Sequence, residues 1–215
     1  MGVQLIIYIM HLIGILMTEL TLISTLYTLQ PLLVCATRLS PTKIIILTEE
    51  DVIEEKAQAE KMVESTFGEV IEIEKQVTSL YDPIQVARDV ASLVEDEHAN
   101  NRDIIINVSG GRKTQAFGAL FGAYARSDMV QRIVYIKEED NAIIDFPILG
   151  FNISVTKKAI LELIQSGEKS VEVIAENLAI SKGMTYNHIR ELKGMGYISD
   201  EDGYTLTDSG KLASI

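Results

Sequence analysis

The sequence predicts an α/β fold with a doubly wound, mainly parallel sheet, followed by a smaller α+β domain. Two observations support this prediction. Short apolar, β-branched runs alternate with helical segments through most of the chain, which is typical of a buried parallel sheet. Near Pro147 the pattern changes to three short helical segments and a hairpin. We therefore expect a first domain over residues 17–146, a linker over 147–153 and a second domain over 154–215.

Six strands are predicted in the first domain. Apolar or alternating runs define them, and the acidic turn Glu138-Glu139-Asp140 makes the last strand antiparallel to its neighbour. The predicted strands cover residues 20–25, 43–48, 69–73, 104–108, 132–136 and 141–146. Helices are predicted over residues 27–39, 51–67 and 115–126. A further helix is predicted to begin with Asp82 as N-cap and Pro83 at its first position.

The helix predicted over 51–67 has an apolar face and an acidic start. Glu49 and Glu50 precede it and Asp51 begins it, and we interpret these three acids as a cap that complements the helix dipole rather than as a metal site. Its core-facing side chains are predicted to be Val52, Ile53, Ala59, Met62 and Val63.

Composition limits the function classes. The chain has 215 residues, 47% of them apolar, and a formal net charge of −12, so its surface as a whole repels nucleic acid and any DNA contact must be local. Cys35 is a single cysteine, which points to a reducing, cytoplasmic compartment. The three histidines are widely separated, so we expect no zinc site and no cofactor.

Residues 1–16 form an apolar N-terminal extension. They lack the basic start of a signal peptide, and Glu19 interrupts the apolar run before it reaches a clean spanning length. Three interpretations remain: a membrane anchor, a segment that packs on the domain or on a partner, and an upstream start to a chain that naturally begins at Met17. The last two are favoured, so no membrane partner is expected.

A glycine turn after the fourth strand is the main candidate site. Ser109-Gly110-Gly111-Arg112-Lys113-Thr114 joins a buried strand to a helix, which aims backbone N–H groups at one point and adds two cations and two hydroxyls. The loop lacks the glycine spacing of a P-loop and of a dinucleotide fingerprint, which disfavours ATP hydrolysis and NAD chemistry. It is either an anion or nucleotide site or a plain turn with two solvated cations.

Polar groups at the ends of neighbouring strands are expected to converge with this turn, because ligands of such sheets bind at the carboxyl edge near the change in strand order. The residues concerned follow the first and second strands. They are Ser24, Thr25, Leu26, Tyr27, Thr28 and Thr48.

The second domain has the layout of a winged helix-turn-helix, with its third helix over residues 184–193. Thr185, Ile189 and Leu192 are predicted to face inward at helical spacing. From residue 154 onward there are seven Lys or Arg and nine Asp or Glu, a net charge of −2, so a protein-contact role stays open beside DNA binding. The candidate DNA-binding residues are Lys182, Met184, Tyr186, Asn187, Arg190 and Lys193.

These landmarks together resemble one family. The chain is similar to the CRISPR-associated Rossmann-fold (CARF) regulators, in particular the archaeal type I-A associated ones. The resemblance is carried by the loop of residues 24–28 with Pro31, by the strand 43–48 leading to Glu49-Glu50, and by Asn107 through Lys113, all ahead of a winged domain. The resemblance covers residue 20 to the end of the chain. The chain departs from many relatives at Tyr27, where they place glycine.

The resemblance implies a Rossmann-like domain and a homodimer with a pocket for cyclic oligoadenylate, such as cyclic tetra-adenylate, across its two-fold axis. It also implies control of CRISPR-Cas transcription through double-stranded DNA at CRISPR-locus promoters. The small residues of the helix after the glycine turn, from Ala116 to Ala123, are a further reason to expect a homodimer.

Two alternatives to a non-enzymatic regulator are a ring nuclease and a dimeric scaffold without ligand. A metal-independent ring nuclease would align a ribose hydroxyl against a phosphate and use Arg112, Lys113 and Ser24.

Overall fold

A computed structural model describes residues 19–151, 153–200 and 203–215. The predicted N-terminal extension 1–16 lies outside these residues, as do Glu201 and Asp202 of the acidic wing tip. The elements of the first part are β1 (Leu20–Thr25), α1 (Leu29–Leu39), β2 (Lys43–Thr48), α2 (Glu54–Phe67), β3 (Glu72–Val77), α3 (Pro83–Ala99), β4 (Asp103–Asn107), α4 (Lys113–Ala125), β5 (Arg132–Ile136) and β6 (Ile143–Phe146).

The first part is a Rossmann-like α/β fold, as predicted. Its six strands lie in the order β3-β2-β1-β4-β5-β6. The pairs among β1 to β5 are parallel, and β6 runs antiparallel to β5. Strand order changes direction between β1 and β4, so the carboxyl ends of these two strands lie side by side at the switch point.

Helices cover both faces of the sheet, and each face has its own hydrophobic cluster. One cluster joins the sheet to the valines of α3 and the alanines of α4. The other joins it to α1 and α2 and contains Cys35. Burial raises the pKa of the Cys35 thiol to about 12 despite the nearby charge of Arg132, which opposes this rise, so the thiol stays protonated at neutral pH.

Helix α4 packs closely on α3 because two glycines leave room. A Cβ on Gly118 would lie 2.5 Å from the Cβ of Val86, and one on Gly122 would lie 2.6 Å from the carbonyl oxygen of Ala87. The small residues of α4 therefore seat the helix within its own chain, and they give no argument for a dimer.

Two elements differ from the prediction by three residues or more. Strand β3 covers Glu72–Val77 rather than 69–73, since its sequence Glu-Ile-Glu-Lys-Gln-Val is polar and lies at the sheet edge. Helix α2 begins at Glu54 rather than at 51, with Ile53 as its N-cap. Consequently Glu49, Glu50 and Asp51 do not cap it, and Ile53 and Met62 are exposed instead of buried.

The second part has the winged helix-turn-helix layout that the sequence predicts. Ser154, Ser170 and Ser181 each accept a hydrogen bond from a backbone N–H in the first turn of the following helix. Thr185, Ile189 and Leu192 are buried, as predicted. The elements are α5 (Val155–Gln165), α6 (Val171–Asn177), α7 (Lys182–Gly194), β7 (Ile198–Ser199), β8 (Thr205–Leu206) and α8 (Asp208–Ala213).

Candidate functional site

Two loops meet at the switch point of the sheet: residues 26–28 after β1 and residues 108–112 after β4. Strand β1 pairs with β4 so that Ser24 lies opposite Asn107, which places the two loops at the same edge. In open α/β sheets this crevice is where ligands bind. We call these two segments the switch-point loops.

Asn107 organises the switch-point loops from below. Its side chain is fully buried at the end of β4, where its Nδ2 donates to the hydroxyl of Ser24 over 3.0 Å. Its Oδ1 accepts from the backbone N–H of Ser109 over 3.1 Å, and the Ser109 hydroxyl accepts from the N–H of Ile136 over 2.7 Å. Asn107 belongs to the motif that resembles the CARF regulators, but it was not among the predicted ligand-binding residues. An amide that ends an otherwise apolar strand is the signal that identifies it.

The two glycines allow the loops to touch. A Cβ on Gly110 would lie 2.8 Å from the carbonyl oxygen of Thr25 and 3.1 Å from the Cα of Leu26. Gly111 has φ +74°, in the left-handed region that favours glycine. The turn therefore depends on both residues, for different reasons.

Arg112 and Lys113 are the exposed cations of the site. Arg112 is the N-cap of α4 and Lys113 is its first residue, so both lie where the N–H groups of the first turn lack intrahelical acceptors. The Arg112 guanidinium carbon lies 5.8 Å from the centroid of the half-buried Tyr27 ring, within cation–π range. The arrangement can bind a phosphate group and offers an aromatic surface beside it.

Several of the predicted ligand-binding side chains are already engaged within the protein. Ser24, Thr25, Leu26 and Thr48 are buried, so the structure does not offer them to a ligand. The hydroxyl of Thr25 donates to the carbonyl oxygen of Asn107 over 3.3 Å, and that of Thr48 donates to Glu60 over 2.6 Å.

Thr114 is engaged in the same way, because its hydroxyl donates to the carbonyl oxygen of Leu80 over 2.6 Å. In the structure these hydroxyls therefore already have partners within the protein, and their role in ligand binding stays a prediction. The predicted site residues that keep exposed surface are Tyr27, Thr28, Ser109, Gly111, Arg112, Lys113 and Thr114.

Two buried polar side chains beside the loops were not predicted from the sequence. Lys56 of α2 forms an ion pair with Glu49, and its Nζ also donates to the carbonyl oxygen of Leu47 over 3.3 Å. Gln115, the third residue of α4, is completely buried. The burial of these two residues could not be predicted from the sequence, because lysine and glutamine are ordinary residues of a solvent-facing helix.

The six predicted DNA-binding side chains all lie on the exposed surface of α7. Lys182 pairs with Glu172 at 3.2 Å, and Lys193 pairs with Asp200, whose pKa this hydrogen bond lowers. Arg190 donates to the side-chain oxygen of Asn187 over 3.0 Å. A phosphate group must therefore compete with two carboxylates for the cations at the ends of the helix.

The winged helix-turn-helix contacts the far end of α4. Arg126, which follows α4, donates to the carbonyl oxygen of Ile215 over 2.7 Å, and Lys158 of α5 donates to the same oxygen over 2.6 Å. The hydroxyl of Tyr124 donates to the carbonyl oxygen of Pro147 over 3.2 Å. Helix α4 thus runs from the switch-point loops to the contact with the second domain.

Two kinds of site are absent from the residues that the structure describes. There, no group of three or more His, Cys, Asp or Glu side chains is placed to hold a metal ion. Within the same ranges no helix has the length and apolarity that crossing a membrane requires.

Two family models match the chain. The one described as HFX_2341_N-like, N-terminal, matches residues 26–141, which is more than half of the chain. The one described as bacterial regulatory protein, arsR family, a helix-turn-helix family, matches residues 154–200. No curated protein matches the sequence.

Three solved structures illustrate the similarity. Csm6 from Enterococcus italicus, bound to cyclic hexa-2′-fluoro-hexa-dAMP, is 14% identical with a TM-score of 0.48, over 83% of this chain and 54% of that one. Can2 from Sulfobacillus thermosulfidooxidans, in complex with cyclic tetra-adenylate, is 15% identical with a TM-score of 0.43, over 90% and 63%. VC1899 from Vibrio cholerae is 12% identical with a TM-score of 0.47, over 90% and 64%. The chain thus spans between half and two thirds of the length of these structures.

The two family matches fall on the two parts of the fold, the Rossmann-like sheet and the winged helix-turn-helix. The two-part layout on which the resemblance to CARF regulators was based is confirmed. The chain belongs to the HFX_2341_N-like, N-terminal family and has an ArsR-type helix-turn-helix at its C-terminal end.

Proposed function

We propose that the protein is a ligand-responsive transcription regulator that binds cyclic oligoadenylate at the switch-point loops and DNA through α7. One observation carries the proposal: Arg112 and Lys113 lie exposed at the start of α4, at the switch point of a Rossmann-like sheet, in a chain that also has a winged helix-turn-helix. A regulator needs both a sensor site and a DNA-binding element, and these are the two places that supply them.

The chemistry of the loops suits a cyclic oligonucleotide. Each phosphate of such a ring can accept charge-assisted hydrogen bonds from Arg112 and Lys113 and from the first N–H groups of α4. The Tyr27 ring offers a stacking surface for a base at the same edge. The ring size proposed is that of cyclic tetra-adenylate, following the resemblance found in the sequence.

We propose a homodimer because a ring with rotational symmetry is best bound by two copies of one loop around a two-fold axis. Phe117 supports this assembly. It is 55% exposed and lies one helical turn after Lys113, so an apolar side chain flanks the cations on the same face of α4. Light scattering at micromolar concentration tests the assembly, and a monomer there would contradict it.

Binding to DNA is proposed for the exposed face of α7, and the DNA would be the promoter of CRISPR-Cas genes. Because the chain is strongly acidic overall, affinity should be modest and should fall steeply as salt rises. The carboxylates that pair with Lys182 and Lys193 should also lower the affinity for DNA.

The ring nuclease alternative loses one of its proposed groups. Ser24 is fully buried, and its hydroxyl donates to the carbonyl oxygen of Thr25 over 2.9 Å while it accepts from Asn107. Arg112 and Lys113 remain, but these cations suit the binding of a phosphate as well as the stabilisation of a transition state, so they do not favour the nuclease.

Incubation with cyclic tetra-adenylate tests the proposal, with retention and product both followed by chromatography. Linear tetra-adenylate, which carries similar groups without the ring, is the matched control. We expect the cyclic compound to be retained unchanged and in preference to the linear one. A linear product would favour the nuclease, and no retention of either compound would favour a scaffold.

A further inference from the structure

Gln115 is an unusual residue for the position it holds. Its side chain is completely buried in the first turn of α4, yet neither its Nε2 nor its Oε1 has a hydrogen-bond partner among residues 19–151, 153–200 and 203–215. Burying an amide without partners is unfavourable, so buried amides in proteins are nearly always paired. An unpaired amide beside a binding loop therefore calls for a functional explanation.

The amide lines a small cavity beneath the switch-point loops. The cavity has a volume of about 30 Å³, and Leu26, Tyr27, Ile53, Leu80 and Arg112 form part of its wall. Gly111 closes it on one side: a Cβ there would lie 2.7 Å from the Oε1 of Gln115. Glu49, Asp51 and Lys56 complete the wall, and Lys56 is paired with Glu49. Gln115 is therefore the one uncharged amide in a wall that otherwise combines a ring, aliphatic side chains and charged groups.

We infer that Gln115 is the residue that recognises the adenine base of the ligand, an inference that rests on the proposed function. A glutamine amide presents a donor and an acceptor side by side. Adenine presents the complementary pair, the N6 amino group as donor and N7 as acceptor, and glutamine is a common partner of that edge. The Tyr27 ring and the aliphatic side chains provide the apolar surfaces that a purine needs.

The cavity must open to admit a base. Its volume has room for about one or two water molecules, far less than a purine occupies. Ile53 is 42% exposed and Tyr27 is half-buried, so both can move outward without unfolding an element. A base that enters past them reaches Gln115, while its phosphates stay with Arg112 and Lys113.

The test compares cyclic tetra-adenylate with cyclic tetra-inosinate, in which O6 replaces the N6 amino group and removes the donor. Binding of both rings is measured by calorimetry for the wild type, Gln115→Met and Lys113→Ala. The wild type should prefer the adenylate ring by about 5- to 150-fold, the value of one bidentate contact to a base. Gln115→Met should bring the preference close to one, whereas Lys113→Ala should weaken both rings equally.

Each other outcome is decisive. A wild type that binds both rings equally, or a Gln115→Met variant that keeps the full preference, overturns the assignment and leaves the proposed function intact. A wild type that binds neither ring overturns the proposed function itself. Thermal unfolding keeps the variant interpretable: Gln115→Met should unfold no earlier than the wild type because it removes an unpaired amide. A lower unfolding temperature with the preference retained would make Gln115 a purely structural residue.

Discussion

Gly110 and Gly111 differ in what a side chain would meet, so their substitutions should differ in effect. A methyl group on Gly110 would press on backbone atoms of Thr25, Leu26 and Tyr27, which cannot move aside without displacing the loop after β1. On Gly111 it would face the end of the Gln115 side chain and a positive φ. Both positions bear on the site, but only the first is closed by backbone on the opposite loop.

We predict that Gly110→Ala lowers the free energy of unfolding by about 1–3 kcal/mol, the usual cost of overpacking. Gly194→Ala is a matched control, because a Cβ there has no neighbour within 4 Å and the residue ends α7. The control should be neutral or slightly stabilising. Urea denaturation measures both, and equal midpoints for the two variants would show that the loops do not touch at Gly110.

Arg112 and Lys113 should provide most of the ligand affinity. We predict that each alanine substitution weakens binding of cyclic tetra-adenylate by about 1.5–3 kcal/mol, or roughly 10- to 150-fold in Kd, because each removes a charge-assisted contact. Lys211→Ala, which removes a cation from α8, should leave the affinity unchanged. If calorimetry finds that the double variant binds like the wild type, the loop is only a turn.

At the scale of elements, an ion-pair network joins the end of α3 to the amino ends of β1 and β2, opposite the switch-point loops. Glu97 accepts from Lys43 over 2.8 Å and from Thr21 over 2.6 Å, and it also lies 3.7 Å from Arg102. Burial alone would raise the pKa of Glu97, but these hydrogen bonds and the charges of Lys43 and Arg102 outweigh it and lower the pKa. The folded protein therefore holds this carboxylate in its charged form.

This network predicts a particular acid response. Folding lowers the pKa of Glu97, so this carboxylate stabilises the folded state fully at pH values above its unfolded pKa of about 4.3. That stabilisation is lost as pH falls through the pKa of the folded state. Glu97→Gln should cost about 1–3 kcal/mol at pH 7, and the difference from the wild type should shrink below about pH 4. Glu139→Gln, in an exposed turn, is the control. A difference that stays constant with pH in thermal unfolding would refute the assignment.

The DNA binding proposed for α7 should involve two kinds of contact. We predict that Arg190→Glu weakens binding to all sequences, whereas Asn187→Ala mainly relaxes discrimination at one base, because phosphate contacts position a protein and base contacts specify sequence. Arg190 and Asn187 are hydrogen-bonded to each other, so the double variant should show less than the sum of the two effects.

Low-salt gel shifts measure this comparison, and Lys211→Ala outside α7 is the control. An Arg190→Glu variant that binds as well as the wild type would mean that α7 does not enter a groove.

The sequence predicts best the elements in which the pattern of apolar residues agrees with their burial in the fold. Strands β1, β2 and β5 are apolar or alternating runs, and each begins and ends where the sequence indicates. Strand β3 was predicted too early in the chain, because its sequence is mostly polar and lies at a sheet edge, where burial does not enforce apolar residues. Sequence shows which groups a loop contains, so it identified the cations Arg112 and Lys113. It could not show that Ser24 and Thr48 are buried, because their burial depends on packing across strands.

At the scale of the whole molecule, α4 connects the proposed ligand site to the winged helix-turn-helix. Its first turn carries Lys113, and just beyond its last residue Arg126 donates to the carbonyl oxygen of Ile215. The linker 147–153 is a second connection, since the Tyr124 hydroxyl of α4 donates to Pro147. A ligand that shifts α4 should therefore shift both attachments of the second domain together.

We predict that ligand and DNA each change the affinity of the other by the same factor, as linkage requires. The coupling free energy that corresponds to this factor is typically about 1–3 kcal/mol. The factor depends on α4, so Arg126→Ala combined with a Gly-Ser insertion after Gly150 should abolish it while sparing ligand binding. Glu95→Gln is the matched control, because it removes the ion pair that Glu95 forms with Arg126 at 2.6 Å but leaves the contact with Ile215. DNA titrations with and without cyclic tetra-adenylate measure the factor for each variant. A coupling that survives the combined change would mean that the signal reaches the helices of the second domain by another route, such as the packing of α3 against α8.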